Sequence, residues 1–159
     1  MKIYFGADHA GYELKEKLKS YVESLGYEVV DKGAFEYDPL DDYVDFIAPV
    51  AQEVARNPES DRGIVIGGSG QGEAIVANKF RGIRAVVFNG QYHPADRKVP
   101  HEIVLSREHN NANILSLGAR FLNDDEAMEA VRVWLQTEFS HDERHVRRLK
   151  KIEDLSTNT

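Results

Sequence analysis

Cysteine is absent from all 159 residues, which removes disulfides, thiolate metal ligands and a thiol nucleophile together. Any catalytic base must then be a carboxylate or a histidine. No apolar run approaches the roughly 18 residues of a membrane span, and the stretch from Met1 to Gly6 is too short for the apolar core of a secretion signal. The expectation is a soluble, cytoplasmic protein with no membrane partner. Positive charge is also scarce: 20 Lys and Arg against 27 Asp and Glu leave a formal charge of −7, which argues against nucleic acid as the main partner despite a basic patch near the C-terminus. There is no internal repeat, low-complexity tract or linker. With 42% hydrophobic and 30% charged residues, the chain reads as one globular domain with a sizeable core.

What is present is a regular alternation. Lys2 to Phe5, Glu28 to Asp31, Gly63 to Ile66, Ala85 to Phe88 and Asn113 to Leu117 read as strands. Between them, Gly11 to Leu25 carries Leu14, Leu18, Tyr21, Val22 and Leu25 at helical spacing, and Tyr43 to Ala55 and Glu126 to Phe139 behave similarly. Gly26 is a helix stop, and Asp124 or Asp125 is the expected cap of the later helix. Such alternation implies a three-layer α/β/α sandwich around a five-stranded parallel sheet, with ligands at the carboxyl ends of the strands. That edge collects the segment Gly6 to Gly11, the glycine-rich stretch Gly67 to Glu73, and a long segment from Asn89 containing His93, Pro94, Pro100 and His101.

The glycine-rich stretch, Gly67-Gly68-Ser69-Gly70-Gln71-Gly72-Glu73, follows an apolar strand and precedes a helix-like segment. Its glycines allow several backbone N–H groups to point into one space, and a helix starting near Ser69 or Gly70 would add its free N–H groups. A carboxylate beside an anion cradle points to a base that takes a proton from a phosphorylated or enolisable substrate. The alternative is a tight strand-to-helix turn with an ordinary first-turn Glu, which the helix dipole favours anyway.

Nucleotide motifs fail in detail. Gly6 to Gly11 with Asp31 beyond it imitates a dinucleotide fingerprint, but Asp8 stands where the middle glycine must admit a pyrophosphate. Gly11 is followed by Tyr12-Glu13, not by Lys and Ser/Thr, so no Walker loop forms. Gly68, Gly70 and Gly72 are spaced two apart, which is not G-x-G-x-x-G. An NAD-dependent dehydrogenase is therefore a poor reading.

Four segments taken together, Gly6-Ala7-Asp8-His9-Ala10-Gly11-Tyr12, Gly67 to Glu73 running into Ala77-Asn78-Lys79, Arg107-Glu108-His109-Asn110-Asn111-Ala112-Asn113, and Arg144-His145-Val146-Arg147-Arg148, closely resemble the type B ribose-5-phosphate isomerases of the ribose and galactose-6-phosphate isomerase family. The resemblance covers nearly the whole chain in the right order. It implies a Rossmann-like sandwich of strand order 2-1-3-5-4 and a single isomerase domain over 1–155 with a tail at 156–159. It also implies a homodimer, or a tetramer built from it, with active sites shared between subunits. The implied chemistry is aldose–ketose isomerisation through ring opening and a cis-enediolate, with no cofactor and no metal.

In one branch of that family a cysteine opening the glycine-rich loop is the base, and in the other a glutamate at its end. Here Gly67 takes the cysteine position, so the resemblance assigns the base to Glu73. It further implies His109 as ring-opening acid, with Asn110 beside it as a ligand. Asp8, His9 and Ser69 are implied as contacts to substrate oxygens, and the backbone of Gly68, Ser69, Gly70, Gln71 and Gly72 as the enediolate cradle. Arg120, Arg144 and Arg148 are implied as the phosphate clamp, Arg144 and Arg148 lying four apart on one helix face. Burial is expected to outweigh the helix terminus at Glu73 on substrate closure, making the base stronger when needed. His93 and His101 match no position of the family. The segment Asn89 to Glu102, longer than the family leads one to expect, leaves the substrate open among ribose 5-phosphate, allose 6-phosphate, galactose 6-phosphate and erythrulose 4-phosphate. A non-catalytic sugar-phosphate-binding subunit is the rival of another class, disfavoured because binding alone needs no base.

Overall fold

A computed structural model describes residues 1–155; the expected tail at 156–159 lies outside the described residues. The elements in chain order are β1 (Lys2–Ala7), α1 (Tyr12–Ser24), β2 (Glu28–Asp31), α2 (Tyr43–Arg56), β3 (Arg62–Gly67), α3 (Gln71–Ala77), β4 (Ala85–Phe88), α4 (Glu102–Glu108), β5 (Ile114–Gly118), α5 (Asp124–Gln136) and α6 (Glu143–Leu155). The strands form one parallel sheet in the order β2-β1-β3-β5-β4, with Phe5 opposite Ile64 and Ile64 opposite Leu115. The order and the layering agree with expectation. No helix among the described residues is long and apolar enough to cross a membrane.

Because side chains alternate along a strand, a sheet covered on both faces buries both sets. Ile3, Phe5 and Ala7 of β1 and Ile64 and Ile66 of β3 point to one side, where they pack with Leu14, Leu18 and Val22 of α1 and Ala127, Val131 and Trp134 of α5. Tyr4 and Val65 point to the other, against Ile47, Val50 and Val54 of α2 and Ala77 of α3.

Two sequence expectations need correction. α5 begins at Asp124, and its cap is Asn123, not Asp124 or Asp125. Asn123 Oδ1 accepts the Glu126 N–H at 2.9 Å, and the Glu126 carboxylate accepts the Asn123 N–H at 2.9 Å. That reciprocal box satisfies two orphan donors, which neither aspartate one residue later is placed to do. α5 also stops at Gln136, before Phe139. After the long segment that follows β4 comes α4, which the sequence reading did not place and which turns Ile103, Ser106 and Arg107 inward.

One buried ion pair ties the first helix to the sheet. Lys15 is fully buried on α1, and its ammonium donates to Asp31 at 2.9 and 2.8 Å and to the Ala34 carbonyl at 2.6 Å. Burial works against the Asp31 anion, but Lys15, Lys19 and the Gly33 N–H outweigh it and hold the carboxyl below its ordinary value. The resulting stability is present above the ordinary carboxylate pKa and is lost as pH falls through the lowered one. Lys15→Ala should cost about 1–3 kcal/mol, since Lys19 and the Gly33 N–H still hold Asp31 but the Ala34 carbonyl loses its buried donor. Urea unfolding at neutral pH measures that loss, and repeating it in acid should find the gap narrowing as Asp31 takes its proton.

Candidate active site

A cavity of about 390 Å³ opens at the carboxyl ends of β1, β3 and β5, where the sheet edge was expected to bind ligand. Asp8 and His9 enter it directly from the end of β1, Gly68, Ser69, Gly72 and Glu73 from the loop after β3, and Arg120 from the segment after β5.

The loop after β3 is held by its neighbours. Ser116 Oγ donates to the Gly70 carbonyl at 2.6 Å, Asn89 Nδ2 to the Ser69 carbonyl at 3.0 Å, and the Ala119 and Arg120 N–H groups to Gly67 and Gly68 at 2.8 and 3.1 Å. Gly70 adopts φ +73°, the left-handed conformation that glycine accepts most easily, and α3 begins on the next residue. The backbone N–H groups of Gly68, Ser69 and Gly70 donate to nothing among the described residues, which leaves them available to an anion. The Ser69 hydroxyl accepts from Gln71 N only at 3.4 Å, a weak cap.

Glu73, in the first turn of α3, is 4% exposed. Its carboxylate lies against the backbone of Gly67: a Cβ there would stand 1.8 Å from Oε1 and 2.2 Å from Cδ. Burial pushes the Glu73 carboxyl above its ordinary value and the charge of Asp8 adds to this, against the pull of its own backbone N–H. Burial thus acts at Glu73 in the direction expected of it on substrate closure. Asp8, also buried, is satisfied differently, accepting the Ala10 and Gly11 N–H groups at 3.0 and 3.2 Å. Arg120 lies over Gly68, where an added Cβ would come within 3.1 Å of the guanidinium carbon.

Other expected site residues lie outside this cavity within one chain. Gly70 serves the turn, and Gln71 faces solvent. His109 ends α4 and packs its ring against that of His145, centroids 4.2 Å apart. Asn110 lines a separate hollow of about 380 Å³ with Tyr92 and Ile103. Arg144 pairs loosely with Asp142 at 3.9 Å at the start of α6, and the charges of Arg144 and Arg148 both bear on His145. The residues therefore fall into two groups, one at the Glu73 cavity and one around His109 and the start of α6. Arg107, buried beneath, braces the second group by donating to the Ala112 and Thr137 carbonyls and to Asn111.

The cavity also contains residues that sequence reasoning missed. Tyr43, first residue of α2, lies on Gly72, and Phe121 closes one rim. Asp41 bonds His9. Tyr43 reads in sequence as one more apolar position of a helix, and nothing in the spacing of Asp41 or Phe121 marks them. Among the described residues, Asp8, His9 and Asp41 are the group whose ligating atoms lie within 4.8 Å of one another. His9 Nδ1 is already committed to Asp41 at 2.6 Å, so the trio is a hydrogen-bonded assembly before it is a cation site.

Residues 3–152 match the family model described as Ribose/Galactose Isomerase. The ribose-5-phosphate isomerase B of Mycobacterium tuberculosis is 41% identical over 150 residues, covering 94% of this chain and 86% of that protein. Among solved structures, ribose-5-phosphate isomerase B of Mycoplasma genitalium with bound ribulose-5-phosphate superposes with a TM-score of 0.91 at 34% identity, covering 99% of this chain and 97% of that one. The Clostridium thermocellum ribose-5-phosphate isomerase B gives 0.86 at 42% identity, with 99% of each chain covered.

The buried carboxyl of Glu73 has a consequence for stability. A carboxyl held above its ordinary value binds its proton more tightly in the folded chain, so it costs stability once the pH passes the ordinary value. Glu73→Gln should raise the melting temperature at neutral pH and leave it unchanged in acid, where the wild-type group is already protonated. Gly67→Ala should turn the Glu73 carboxylate, the far end of a flexible side chain, off its seat and, by releasing it from burial, should lessen the gain from Glu73→Gln at neutral pH; thermal scans of the single and double variants at pH 4 and pH 7.5 measure that gain.

Proposed function

The chain belongs to the ribose/galactose isomerase family, and from that premise we propose that it interconverts ribose 5-phosphate and ribulose 5-phosphate as an aldose–ketose isomerase. The observation that carries the reading is Glu73: a buried carboxylate with a raised pKa, seated on the bare backbone of Gly67 beside unpaired loop N–H groups. Pure binding of a sugar phosphate calls for the N–H groups and for cations, but not for such a base. A raised pKa also brings the carboxyl nearer the operating pH, where a general base is most effective.

In this reading Glu73 removes the proton from C2 of the open-chain aldose and returns it to C1, while the hydroxyl proton passes from O2 to O1. The negative charge that builds on the two oxygens faces the N–H groups of Gly68, Ser69 and Gly70, held in place before the reaction by Ser116 and Asn89. Asp8, His9 and the Ser69 hydroxyl hold the sugar oxygens. Arg120, lying over Gly68, adds positive charge beside the loop.

Ring opening needs a proton donor and acceptor near neutrality, and the phosphate needs cations. His109, Asn110, Arg144 and Arg148 supply both, and their place around the end of α4 and the start of α6 favours delivery from a second copy of the chain, in a homodimer with shared sites or a tetramer made from it. The exposed apolar residues at the two half-sites support that pairing: Phe35, Tyr37, Leu40 and Phe121 near the Glu73 cavity, and Val146 and Ile152 on α6.

Purified protein assayed on ribose 5-phosphate tests the assignment. Glu73→Gln should lower kcat by about 10²–10⁴-fold, the usual contribution of a general base; undiminished turnover would remove Glu73 from the role. Arg144→Ala should raise KM for ribose 5-phosphate with a smaller effect on kcat, read by steady-state kinetics, and an unchanged KM would end its phosphate role. The hollow shared by Asn110 with Tyr92, Val99 and Pro100 of the long segment after β4 favours a parallel assay on allose 6-phosphate, galactose 6-phosphate and erythrulose 4-phosphate, since that segment is placed to shape what lies beside Asn110.

A further inference from the structure

We propose that Asp41 is a positioning residue for His9, gripping the imidazole at Nδ1 and the backbone N–H of the same residue so that Nε2 is the atom offered to substrate in the Glu73 cavity. The inference rests on the isomerase reading of that cavity and adds to it a residue that neither the motifs nor the resemblance pointed to.

The grip is double. Asp41 Oδ1 lies 2.6 Å from His9 Nδ1 and accepts the His9 backbone N–H at 3.1 Å, across 32 residues of sequence. Two bonds to one oxygen fix both where the residue sits and how its ring turns. The Tyr37 ring stands edge-on to the imidazole at 6.3 Å and limits the turning further. With Nδ1 engaged, Nε2 is left as the other polar atom of the ring, and among the described residues it makes no hydrogen bond. Fixing one ring nitrogen by hydrogen bond determines which nitrogen is presented elsewhere.

The segment carrying Asp41 is built to bury it. The Asp38 carboxylate accepts the Leu40 N–H at 3.0 Å, and its carbonyl accepts the Asp41 N–H at 3.1 Å, closing a turn just before α2. Leu40 is turned out to solvent while the Asp41 side chain is only 7% exposed. Its second oxygen is buried without a partner. An anion kept in that condition is costly unless a positive charge lies against it. His9 is the group in contact that can carry one.

The charged groups facing the imidazole come from three elements: Asp8 at the end of β1, Asp41 before α2 and Arg120 after β5, with Glu73 of α3 lining the same cavity. The hydrogen bond from Asp41 is the largest influence and holds the His9 pKa above its ordinary value, with burial and Arg120 opposing and Asp8 assisting. A protonated His9 sets one positive charge beside the two carboxylates Asp8 and Glu73. Its Nε2–H can then donate to a sugar oxygen as charge develops there.

Two variants test the proposal. Asp41→Asn keeps the shape and an oxygen for both N–H groups but removes the charge, whereas Asp41→Ala removes both. The His9 imidazole is followed by NMR titration of histidine-labelled protein, assigned with His9→Gln, and kcat/KM is measured against pH on ribose 5-phosphate. In both variants His9 should lose its proton at lower pH than in the wild type, and the alkaline limb of kcat/KM should move the same way. Asp41→Ala should lose about 10- to 100-fold in kcat/KM, the scale of a misplaced contact, and combining it with His9→Gln should cost little more than His9→Gln alone. An unmoved His9 titration in Asp41→Asn, or losses that multiply in the double variant, would overturn the proposal. The titration needs no turnover, so a wild type inactive on every sugar phosphate while Asp41→Asn still shifts His9 would defeat the isomerase reading and leave the positioning role standing.

Discussion

The bare backbone of Gly67 is the constraint on which the site depends. A carboxylate is buried at Glu73 only because nothing projects from residue 67, where a Cβ would overlap Oε1. Any side chain at that position, a cysteine included, and a glutamate in this rotamer cannot coexist, so Gly67 and the burial of Glu73 are two aspects of one packing arrangement. The same contact sets the electrostatics. Pressed against backbone and out of water, the carboxyl is pushed upward by burial, and Asp8 across the cavity pushes it further. The surrounding bonds from Ser116, Asn89, Ala119 and Arg120 then serve one end, which is to keep the loop from relaxing away from the side chain it holds.

Two carboxylates in one small cavity invite the question of how they differ. Asp8 accepts two backbone N–H groups from the turn that opens α1. Glu73 has only its own N–H to set against burial. Donors are thus placed unequally around two like groups in one cavity. The buried pair of Lys15 and Asp31 belongs to the same design at one remove. It fixes the start of the segment from Gly33 to Tyr43, and that segment delivers Asp41 to His9 and Tyr43 to Gly72.

The parts of the molecule legible in the sequence were those encoded locally. The limits of β2 and β4 follow from short apolar runs, and Asp8, His9 and Glu73 stand within a few residues of strand ends, where parallel sheets gather ligands. The cap of α5 was misplaced because three consecutive side chains, Asn123, Asp124 and Asp125, all suit a cap, and only the reciprocal bond with Glu126 singles one out. α4 escaped because seven residues are too few to show a helical period against a polar background. Asp41 and Tyr43 were illegible for a different reason: Tyr43 reaches the cavity, and Asp41 reaches His9, through tertiary packing, from a segment with no local sign of it. The resemblance named His109, Arg144 and Arg148 as site residues, yet one chain places them away from Glu73.

That separation has a physical reading in terms of symmetry. A twofold interface puts each patch of one copy against a different patch of the other, and it does so twice. A chain whose proposed site is divided between two surfaces would therefore be completed at both by a single pairing. The exposed side chains lie where such a pairing needs them, with Phe35, Leu40 and Phe121 at the Glu73 half and Val146, Ile152 and Leu155 along α6 at the other. α6 itself buries only His145 within its own chain, which leaves its apolar positions without a covering surface. In the proposed homodimer, burying those two patches against each other would supply the driving force and would carry the arginines of α6 with it. Under that proposal, binding the phosphate and assembling the copies are one problem: the helix proposed to supply the cations is the one whose exposed apolar positions a second copy would cover.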